Sequence, residues 1–283
     1  AFVAQAPNLL TVSHGVTVTG VEGFEVQGGS AGDTVVGGGA TDIIYGNAGD
    51  DSLSAADGSY AEVYGGEGAD TVHSRQVTDY LEGGNGEDLL ILDLSSSASG
   101  ASLVADNVYW GYIGTNQAYY FERAQITGGS GSDALYGTAG ADTLDGGLGN
   151  DTIQGGLGND IYLVDSSTDQ VIEDAGGGTD EVRSTATTFT LSANVEHLTL
   201  LGTGNINGTG SSGANRITGG TGDNRLSGGG GADSLIGELG ADSLEGGAGN
   251  DRLGGGDGND IAIYSGARGN YVATAIAGGF TIS

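Results

Sequence analysis

Apolar and polar positions recur along this chain with a period of nine residues. The unbroken stretch 137–160 has glycine at phrase positions 1 and 4 and often at 2, aspartate at position 6, and an apolar residue at position 8. Glycine permits the positive φ angles of a tight turn, and one inward-pointing side chain between two outward ones is typical of a short strand. Each phrase therefore predicts a tight loop followed by a three-residue strand.

Two phrases, one leading out and one back, would complete a flattened coil of eighteen residues. Strands of successive coils would stack in parallel at about 4.8 Å. The position-8 side chains would then form one apolar column, with the members Val35, Ile44, Leu53, Val72, Leu81, Leu90, Leu135, Leu144, Ile153, Leu226, Leu235, Leu244 and Leu253. The pattern predicts an all-β solenoid of parallel strands.

The phrases fall into three arrays, separated by the interruptions 92–127 and 164–209. We interpret the interruptions as wider coils of the same solenoid rather than as separate domains. The predicted segments are 1–91, the first array with leading strands; 92–163, an aromatic-rich interruption and the second array; 164–263, the second interruption and the third array; and 264–283, the start of a further strand segment that we expect to be truncated.

Two local departures modify this regular picture. Residues 55–64 are one residue too long and lack the glycine pair, so we expect a bulged or loosened turn. The segments 23–25, 120–122 and 194–196 resemble one another, and each leads into an array. This similarity suggests a super-repeat of three blocks.

Composition limits the classes of protein that remain. The 283 residues include 60 glycines but one proline, and no three-residue collagen period is present. There are 37 acidic residues against seven arginines, giving a net charge of −30. Such a surface disfavours nucleic acid and anionic membranes, and no apolar run is long enough to span a bilayer. The regular phase of apolar and acidic residues argues against a disordered acidic chain.

The aspartates suggest hard cations as partners. In an eighteen-residue coil, Asp133 would lie over Asp151 and Asp233 over Asp251, and stacked carboxylates need a counter-charge. Ca²⁺ accepts six to eight oxygens in a tolerant geometry, whereas Mg²⁺ requires a stricter octahedron. The loops contain no Cys or His, which disfavours zinc and copper. About a dozen shared calcium ions would supply roughly +24 charges.

The phrase Gly-Gly-x-Gly-x-Asp-x-U-x resembles the nonapeptide of the RTX (repeats-in-toxin) family, a calcium-binding repeat. The resemblance covers more than half of the chain. It implies a right-handed parallel β-roll, export by the type I secretion system of a Gram-negative bacterium, and folding outside the cell. It also implies that calcium is held by position-6 carboxylates and by carbonyl groups near positions 1 to 4.

Carried onto this sequence, the resemblance gives one set of carboxylates and one set of loop glycines as expected metal ligands. The carboxylates are Asp33, Asp42, Asp51, Asp70, Asp88, Asp133, Asp142, Asp151, Asp160, Asp233, Asp242, Asp251 and Asp260. The glycines are Gly129, Gly131, Gly147, Gly149, Gly156, Gly158, Gly229, Gly231, Gly247 and Gly249. The best sites are expected in 133–160 and 233–260. Asn215, Asn224 and the glycine-free phrase 74–82 depart from the pattern and should bind weakly or not at all.

Other motifs are better explained by the repeat itself. Residues 28–32 match the G-x-S-x-G of serine hydrolases, but a glycine-rich repeat produces such matches by chance. His14, His73 and His197 are scattered, and we assign them no catalytic or metal-binding role. The aromatic residues of 109–121 could form a carbohydrate-stacking patch, although filling a wider coil or capping an array is the favoured interpretation. The sequence thus predicts no enzyme.

Two biological roles remain open. We favour a calcium-binding structural segment of a large secreted RTX protein at the bacterial cell surface: an adhesin, an S-layer-like protein or a filament, with self-association as an option. The alternative is the C-terminal calcium-dependent folding and secretion module of an exoenzyme such as a protease, lipase or epimerase. Either role predicts an extracellular location, with calcium as the partner.

Overall fold

The computed structural model describes residues 3–6, 9–11, 15, 17–21, 23–55, 60–104, 117–264, 273–276 and 279–282. These residues contain strands and turns but no helix. None of them, accordingly, belongs to a helix with the length and apolar character needed to cross a membrane. The chain divides into two compact units, Ala1–Asp145 and Gly146–Ser283. The four segments predicted from the repeat pattern are a different kind of division and stay a prediction.

Within its described residues, the first unit contains sixteen short strands. They are β1 (Val3–Ala6), β2 (Leu9–Thr11), β3 (Thr17–Val21), β4 (Glu25–Gln27), β5 (Thr34–Gly37), β6 (Ile43–Ala48), β7 (Ser52–Ser54), β8 (Glu62–Glu67), β9 (Thr71–Ser74), β10 (Tyr80–Asn85), β11 (Leu89–Asp93), β12 (Ser102–Val104), β13 (Gln117–Tyr119), β14 (Arg123–Thr127), β15 (Ala134–Tyr136) and β16 (Thr143–Asp145). Successive strands alternate between two sheets, ordered β1-β2-β4-β6-β8-β10-β13 and β3-β5-β7-β9-β11-β14-β16. β12 pairs with β15, and apart from the antiparallel β1–β2 pair the strands run parallel.

The second unit repeats this arrangement. Its strands are β17 (Thr152–Gln154), β18 (Ile161–Val164), β19 (Gln170–Ile172), β20 (Glu181–Ser184), β21 (Thr188–Thr190), β22 (His197–Leu200), β23 (Asn207–Thr209), β24 (Arg216–Thr218), β25 (Arg225–Ser227), β26 (Ser234–Ile236), β27 (Ser243–Glu245), β28 (Arg252–Gly254), β29 (Ile261–Ile263), β30 (Ala273–Ile276) and β31 (Gly279–Ile282). Parallel ladders run β18-β20-β22-β24-β26-β28, β21-β23-β25-β27-β29 and β17-β19, whereas β30 and β31 form an antiparallel pair. The predicted all-β solenoid of parallel strands is confirmed.

The register follows the repeat length. Val35 is paired with Leu53, its counterpart in the next coil eighteen residues later. Leu53 is paired with Val72, so the extra residue of the 55–64 phrase is absorbed within a single coil. The turn itself, 56–59, lies outside the described residues, and the predicted bulge stays a prediction. The first interruption is spanned by pairing of β11 with β14, consistent with a wider coil.

The core is the predicted apolar column. All thirteen position-8 residues named above are buried, the most exposed being Leu253 at 8%. Ile126, Val171, Val182 and Leu198 continue the column through the interruptions. Outside the interruptions, Val26, Val63, Tyr162 and Ile217 are buried as well. Each buried aliphatic side chain of this kind contributes about 1.5–3 kcal/mol to folding. Because the column packs the strands of successive coils together, it sets the spacing of the loops along each unit.

Part of the aromatic group is placed by the structure. Phe121 is buried and fills the core, as predicted, whereas Tyr120 is exposed. Tyr119 extends an outer stripe of rings, in which Tyr45 and Tyr64 stack with centroids 4.8 Å apart. Tyr109, Trp110 and Tyr112 lie outside the described residues.

Candidate metal centres

The position-6 aspartates line the turns, where each loop enters a strand. Eleven of the thirteen are at most 3% exposed: Asp33, Asp42, Asp51, Asp70, Asp88, Asp133, Asp142, Asp151, Asp160, Asp233 and Asp242. Asp251 is half-buried and Asp260 is exposed, both in the last phrases of the third array. Burying a carboxylate is unfavourable unless hydrogen bonds or a cation compensate for the lost water. Each of these side chains therefore requires compensating partners.

A ladder of hydrogen bonds connects the aspartates of successive coils. The backbone N–H of Asp33 donates to Asp51 Oδ1 at 2.6 Å, that of Asp51 to Asp70 Oδ1 at 2.8 Å, and that of Asp70 to Asp88 Oδ1 at 2.7 Å. In the third array, Asp233 donates to Asp251 Oδ1 and Asp242 to Asp260 Oδ1, both at 3.0 Å. The ladder orients one oxygen of each carboxylate and stacks the acidic side chains.

The second carboxylate oxygen distinguishes two kinds of loop. In what we call closed loops, it accepts the backbone N–H of position 2, as in Gly29 to Asp33 Oδ2 at 2.8 Å and Gly38 to Asp42 Oδ2 at 2.9 Å. Four closed loops have an aspartate at position 6: 28–33, 37–42, 128–133 and 137–142. In two more, 210–215 and 219–224, the side-chain amide oxygen of an asparagine accepts the same N–H. The closed loops are the first two loops of each array, and in them the backbone already compensates the buried oxygen.

In the remaining loops, which we call open, position 2 is in the left-handed region. The residues with positive φ there are Asn47, Gly66, Gly84, Gly147, Gly156, Gly229, Glu238, Gly247 and Gly256, in loops 46–51, 65–70, 83–88, 146–151, 155–160, 228–233, 237–242, 246–251 and 255–260. The second oxygen lacks a hydrogen-bond partner within the described residues at Asp51, Asp70, Asp88, Asp233 and Asp242. These oxygens are the acceptors that a cation would satisfy.

Peptide oxygens lie beside these carboxylate oxygens. A Cβ added at Gly65 would overlap both Asp70 Oδ2 and the carbonyl oxygen of Gly83 in the next coil, and Gly237 has the same relation to Asp242 Oδ2 and Gly255. Position 1 of these open loops must therefore be glycine, because the space beside it holds two oxygens. A carboxylate oxygen next to a stacked carbonyl is a ligand set suited to Ca²⁺. The residues present thus fit the predicted ion.

Five of the open-loop carboxylates have raised pKa values, and burial also raises the pKa of Asp142, in a closed loop, to about 6. Burial, together with the neighbouring aspartates of the ladder, raises the pKa of Asp51, Asp70 and Asp88 to about 6, against the lowering effect of the ladder hydrogen bond. Burial likewise raises the pKa of Asp233 and Asp242. The charged form of each group is disfavoured in the folded chain without a metal, so a cation would relieve a real electrostatic cost.

The two asparagines at position 6 have hydrogen-bond partners at both the oxygen and the nitrogen of the side-chain amide. Asn224 Oδ1 accepts the N–H of Gly220 at 2.8 Å, and its Nδ2 donates to the carbonyl of Ile206 at 2.6 Å. Asn215 bonds to Ser211 and Val195 in the same way. In the glycine-free phrase, Asp79 Oδ2 accepts from the Ser74 hydroxyl at 2.6 Å. These contacts are consistent with the prediction that those three positions bind calcium weakly or not at all.

The division into two units separates some of the predicted pairs. Asp133 and Asp151 lie in different units, as do Asp142 and Asp160, so their stacking stays a prediction. Of the ten predicted loop glycines, eight have positive φ, whereas Gly129 and Gly131 do not.

Several half-buried or buried acids were missed by the nonapeptide pattern. The backbone N–H of Asp88 donates to Glu122 Oε2, and that of Asp180 to Glu196 Oε2, so a glutamate continues the ladder in each interruption. The signal was present in the similar segments 120–122 and 194–196, whose first residues both have positive φ. Glu173 was not identifiable from the nine-residue phase.

The repeats match a known family of proteins. The family model described as RTX calcium-binding nonapeptide repeat (4 copies) matches residues 27–60, 64–94, 127–162, 209–244 and 228–262. Together these segments cover more than half of the chain and include both open and closed loops. No curated protein matches the chain.

Proposed function

From the premise that the chain belongs to the family of RTX calcium-binding nonapeptide-repeat proteins, we propose that it is a non-catalytic, secreted structural segment that folds when it binds calcium. The chain carries calcium-binding repeats in a parallel β-roll. The observation that supports calcium-dependent folding is the set of buried carboxylate oxygens at Asp51, Asp70, Asp88, Asp233 and Asp242 that have no hydrogen-bond partner among the described residues.

The proposal couples metal binding to folding. The net charge of −30 opposes a compact state, and the ladder brings carboxylates of successive coils together. A pre-formed site does not exist in an unfolded chain, so the free energy of metal binding becomes free energy of folding. Low calcium inside a cell would keep the chain unfolded during export, and higher calcium outside would fold it.

A surface role at the bacterial cell is the biological setting that we propose. The described residues consist of strands, turns and loops, and the repeat is the main feature of the molecule. An adhesin, an S-layer-like protein or a filament could use such a solenoid directly as its structural component. Coils that stack on one another within a chain can also stack on the coils of a second copy of the chain. Self-association is therefore part of the proposal. A catalytic domain elsewhere in the same polypeptide would favour the folding and secretion module of an exoenzyme instead.

A calcium titration of the 283-residue chain tests the folding claim. We expect far-ultraviolet circular dichroism to show disordered chain in EGTA and strand on addition of calcium, with reversal by EGTA. Mg²⁺ at equal concentration should fold the chain poorly because its octahedral geometry suits these loops less well. Concentrated NaCl, which shortens the Debye length to about 3 Å at 1 M, should not replace calcium.

The result that contradicts the proposal is equally specific. If strand content and melting temperature are the same in EGTA and in calcium, the loops do not drive folding. If NaCl folds the chain as well as calcium does, charge screening rather than coordination is responsible. Light scattering on the calcium-loaded protein tests self-association, and a strict monomer would remove the filament version.

A further inference from the structure

Three carboxylates converge in the second unit at a place that the nonapeptide phrase does not define. Asp160 closes the loop 155–160, Glu173 follows β19, and Asp180 immediately precedes β20. One oxygen from each lies within 4.8 Å of the others. The three side chains are 1%, 7% and 0% exposed, respectively. Their spacing of thirteen and seven residues does not follow the nine-residue period.

Tyr162 fixes one oxygen of Glu173. The Tyr162 side chain is fully buried, its hydroxyl accepts the N–H of Gly155 at 2.9 Å, and it donates to Glu173 Oε1. The other oxygen, Glu173 Oε2, has no hydrogen-bond partner within the described residues. The glutamate is therefore anchored on one side and presents a buried acceptor on the other.

Asp180 is oriented in the same manner. Its Oδ1 accepts the backbone N–H of Asp160 at 2.8 Å, while its Oδ2, also buried, has no hydrogen-bond partner in the described part of the chain. The two unpartnered oxygens belong to residues 173 and 180 of one cluster. Two side chains of the cluster thus each have a buried oxygen that no hydrogen bond satisfies within the described residues.

The loop backbone supplies a further oxygen. A Cβ added at Gly177 would lie 2.6 Å from Glu173 Oε2 and 2.8 Å from the carbonyl oxygen of Gly156. Gly158 donates its N–H to the Gly177 carbonyl at 2.7 Å, which holds the two loops together. A side chain at position 177 would fill the space beside these oxygens, and glycine leaves it clear.

We propose that Asp160, Glu173 and Asp180 form a calcium site, in which Glu173, a residue outside the nonapeptide phrase, is a third carboxylate ligand. All the donor atoms are oxygens, and three negative charges favour a divalent ion over a monovalent one. This inference rests on the proposed calcium-dependent folding and extends it into the second interruption.

The test compares Glu173→Gln with Asp174→Asn in the full chain. Glutamine keeps the acceptor for the Tyr162 hydroxyl and removes the charge that faces the cluster. Asp174 is adjacent and exposed, and its carboxylate is not one of the three that converge, so its variant loses the same formal charge, keeps the backbone and removes no proposed ligand. The readout is amide hydrogen exchange as a function of calcium concentration, resolved for the segments 156–180, 62–90 and 228–251.

In the wild-type chain, calcium should protect all three segments. Glu173→Gln should raise the calcium concentration for half-protection of 156–180 at least about tenfold and leave the other two segments within about twofold, because one charged ligand of one site is lost. Asp174→Asn should leave all three unchanged within about twofold. Equilibrium dialysis at low calcium should show fewer bound ions in Glu173→Gln than in Asp174→Asn.

Two negative outcomes are distinguishable. If calcium protects 62–90 and 228–251 and Glu173→Gln behaves like Asp174→Asn, calcium folding stands but Glu173 is a protonated structural acid, and the proposed site is wrong. If calcium protects no segment of the wild-type chain, the proposed function fails first.

Tyr162→Phe keeps the inference testable if Glu173→Gln does not fold in saturating calcium. The phenylalanine retains the buried ring and all three carboxylates but removes the hydroxyl that orients Glu173. Half-protection of 156–180 should then need several-fold more calcium, with 62–90 and 228–251 unchanged. An unchanged calcium requirement at 156–180 would overturn the role assigned to Glu173.

Discussion

Asn224 and Asp242 occupy the same phrase position in successive coils of the third array, and they differ in how the side chain is satisfied. Asn224 donates its backbone N–H to Asp242 Oδ1 at 2.8 Å. The asparagine satisfies both ends of its amide within the protein, whereas Asp242 keeps a buried oxygen without a hydrogen bond among the described residues. The replacement of one side-chain oxygen by an amide nitrogen therefore separates the proposed metal ligand Asp242 from the structural residue Asn224.

Asp88→Asn tests whether the second carboxylate oxygen of a position-6 aspartate is needed for calcium-dependent folding. The amide oxygen can still accept the N–H of Asp70, so only the second, unpartnered oxygen and the charge are lost. We expect the calcium midpoint of folding, followed by circular dichroism, to rise at least about tenfold, as for loss of a charged calcium ligand. In calcium-free buffer the variant should be no less stable, since a buried charge is removed.

Glu87→Gln is the matched control for that variant. Glu87 is adjacent and exposed, so its replacement removes the same charge from the same loop. Its calcium midpoint should change less than about twofold, because exposed charges interact weakly. Equal shifts in the two variants would mean that general charge, rather than coordination by Asp88, sets the calcium requirement.

At the scale of the element, each open loop depends on a backbone conformation that most side chains disfavour. Gly229 has a φ of 94°, and a Cβ there would overlap the carbonyl oxygen of Ser211 in the preceding coil. Its neighbour Gly230 has ordinary φ, and the nearest atom to an added Cβ is 3.7 Å away. Two consecutive glycines thus have opposite tolerance for substitution.

Gly229→Ala should lower the free energy of unfolding in saturating calcium by about 2 kcal/mol or more, from left-handed strain and the overlap together. Gly230→Ala should change it by less than about 0.5 kcal/mol, as for a surface substitution without a contact. Urea unfolding of both variants at the same calcium concentration measures the difference. Similar losses would show that the loop tolerates no side chain at all, and that the φ angle is not the cause.

The element scale also shows what the sequence could predict. The position-8 column could be predicted from the nine-residue period alone. A residue that recurs at the same position of every phrase, such as Leu144, points to the same side of each stacked coil, which here is the core. The open and closed forms did not follow from residue type. Asn47 is left-handed without being glycine, stabilised by its Nδ2 donating to the Gly28 carbonyl, whereas Gly29 is not left-handed. Loop form depends on the coil beneath, which a nine-residue phrase does not encode.

The cluster of Asp160, Glu173 and Asp180 was unpredictable for a related reason. Its residues meet because β19 and β20 bring them to the loop at 155–160, and their spacing has no repeat phase. The sequence indicated one part of this cluster. The segment 176–180, Gly-Gly-Gly-Thr-Asp, resembles a repeat loop that does not fall at the nine-residue spacing. A search for loops at twenty-residue spacing would have found Asp180 but not Glu173.

At the scale of the whole molecule, charge and burial oppose each other. A net charge of −30 is distributed over a chain whose carboxylates are held in stacks at each coil. Protons and calcium ions are alternative ways to neutralise the same groups. Without calcium, the free energy of unfolding of the roll should therefore depend on pH, and the raised pKa values predict that it increases as the pH falls.

Acidification should promote folding of the calcium-free chain. The pKa values of Asp51, Asp70 and Asp88 are raised to about 6 in the folded chain, above the ordinary 3.8 that applies when unfolded. A raised folded pKa means that the folded state binds protons more tightly, so its stability is greatest below about pH 4 and is lost as pH rises through about 6. Strand content measured by circular dichroism in metal-free buffer should increase from neutral pH to about pH 5, which is still above the isoelectric point of 4.1.

Calcium should reverse the sign of this dependence. In limiting calcium, protons compete for the same oxygens, so the calcium midpoint should rise as the pH falls below about 6. Sedimentation velocity at each pH distinguishes folding from aggregation, because a gain of strand in a sedimenting aggregate would not count. A soluble metal-free chain with the same strand content at neutral pH and at about pH 5 would contradict the argument, because the buried carboxylates would then not be what keeps the roll unfolded without calcium.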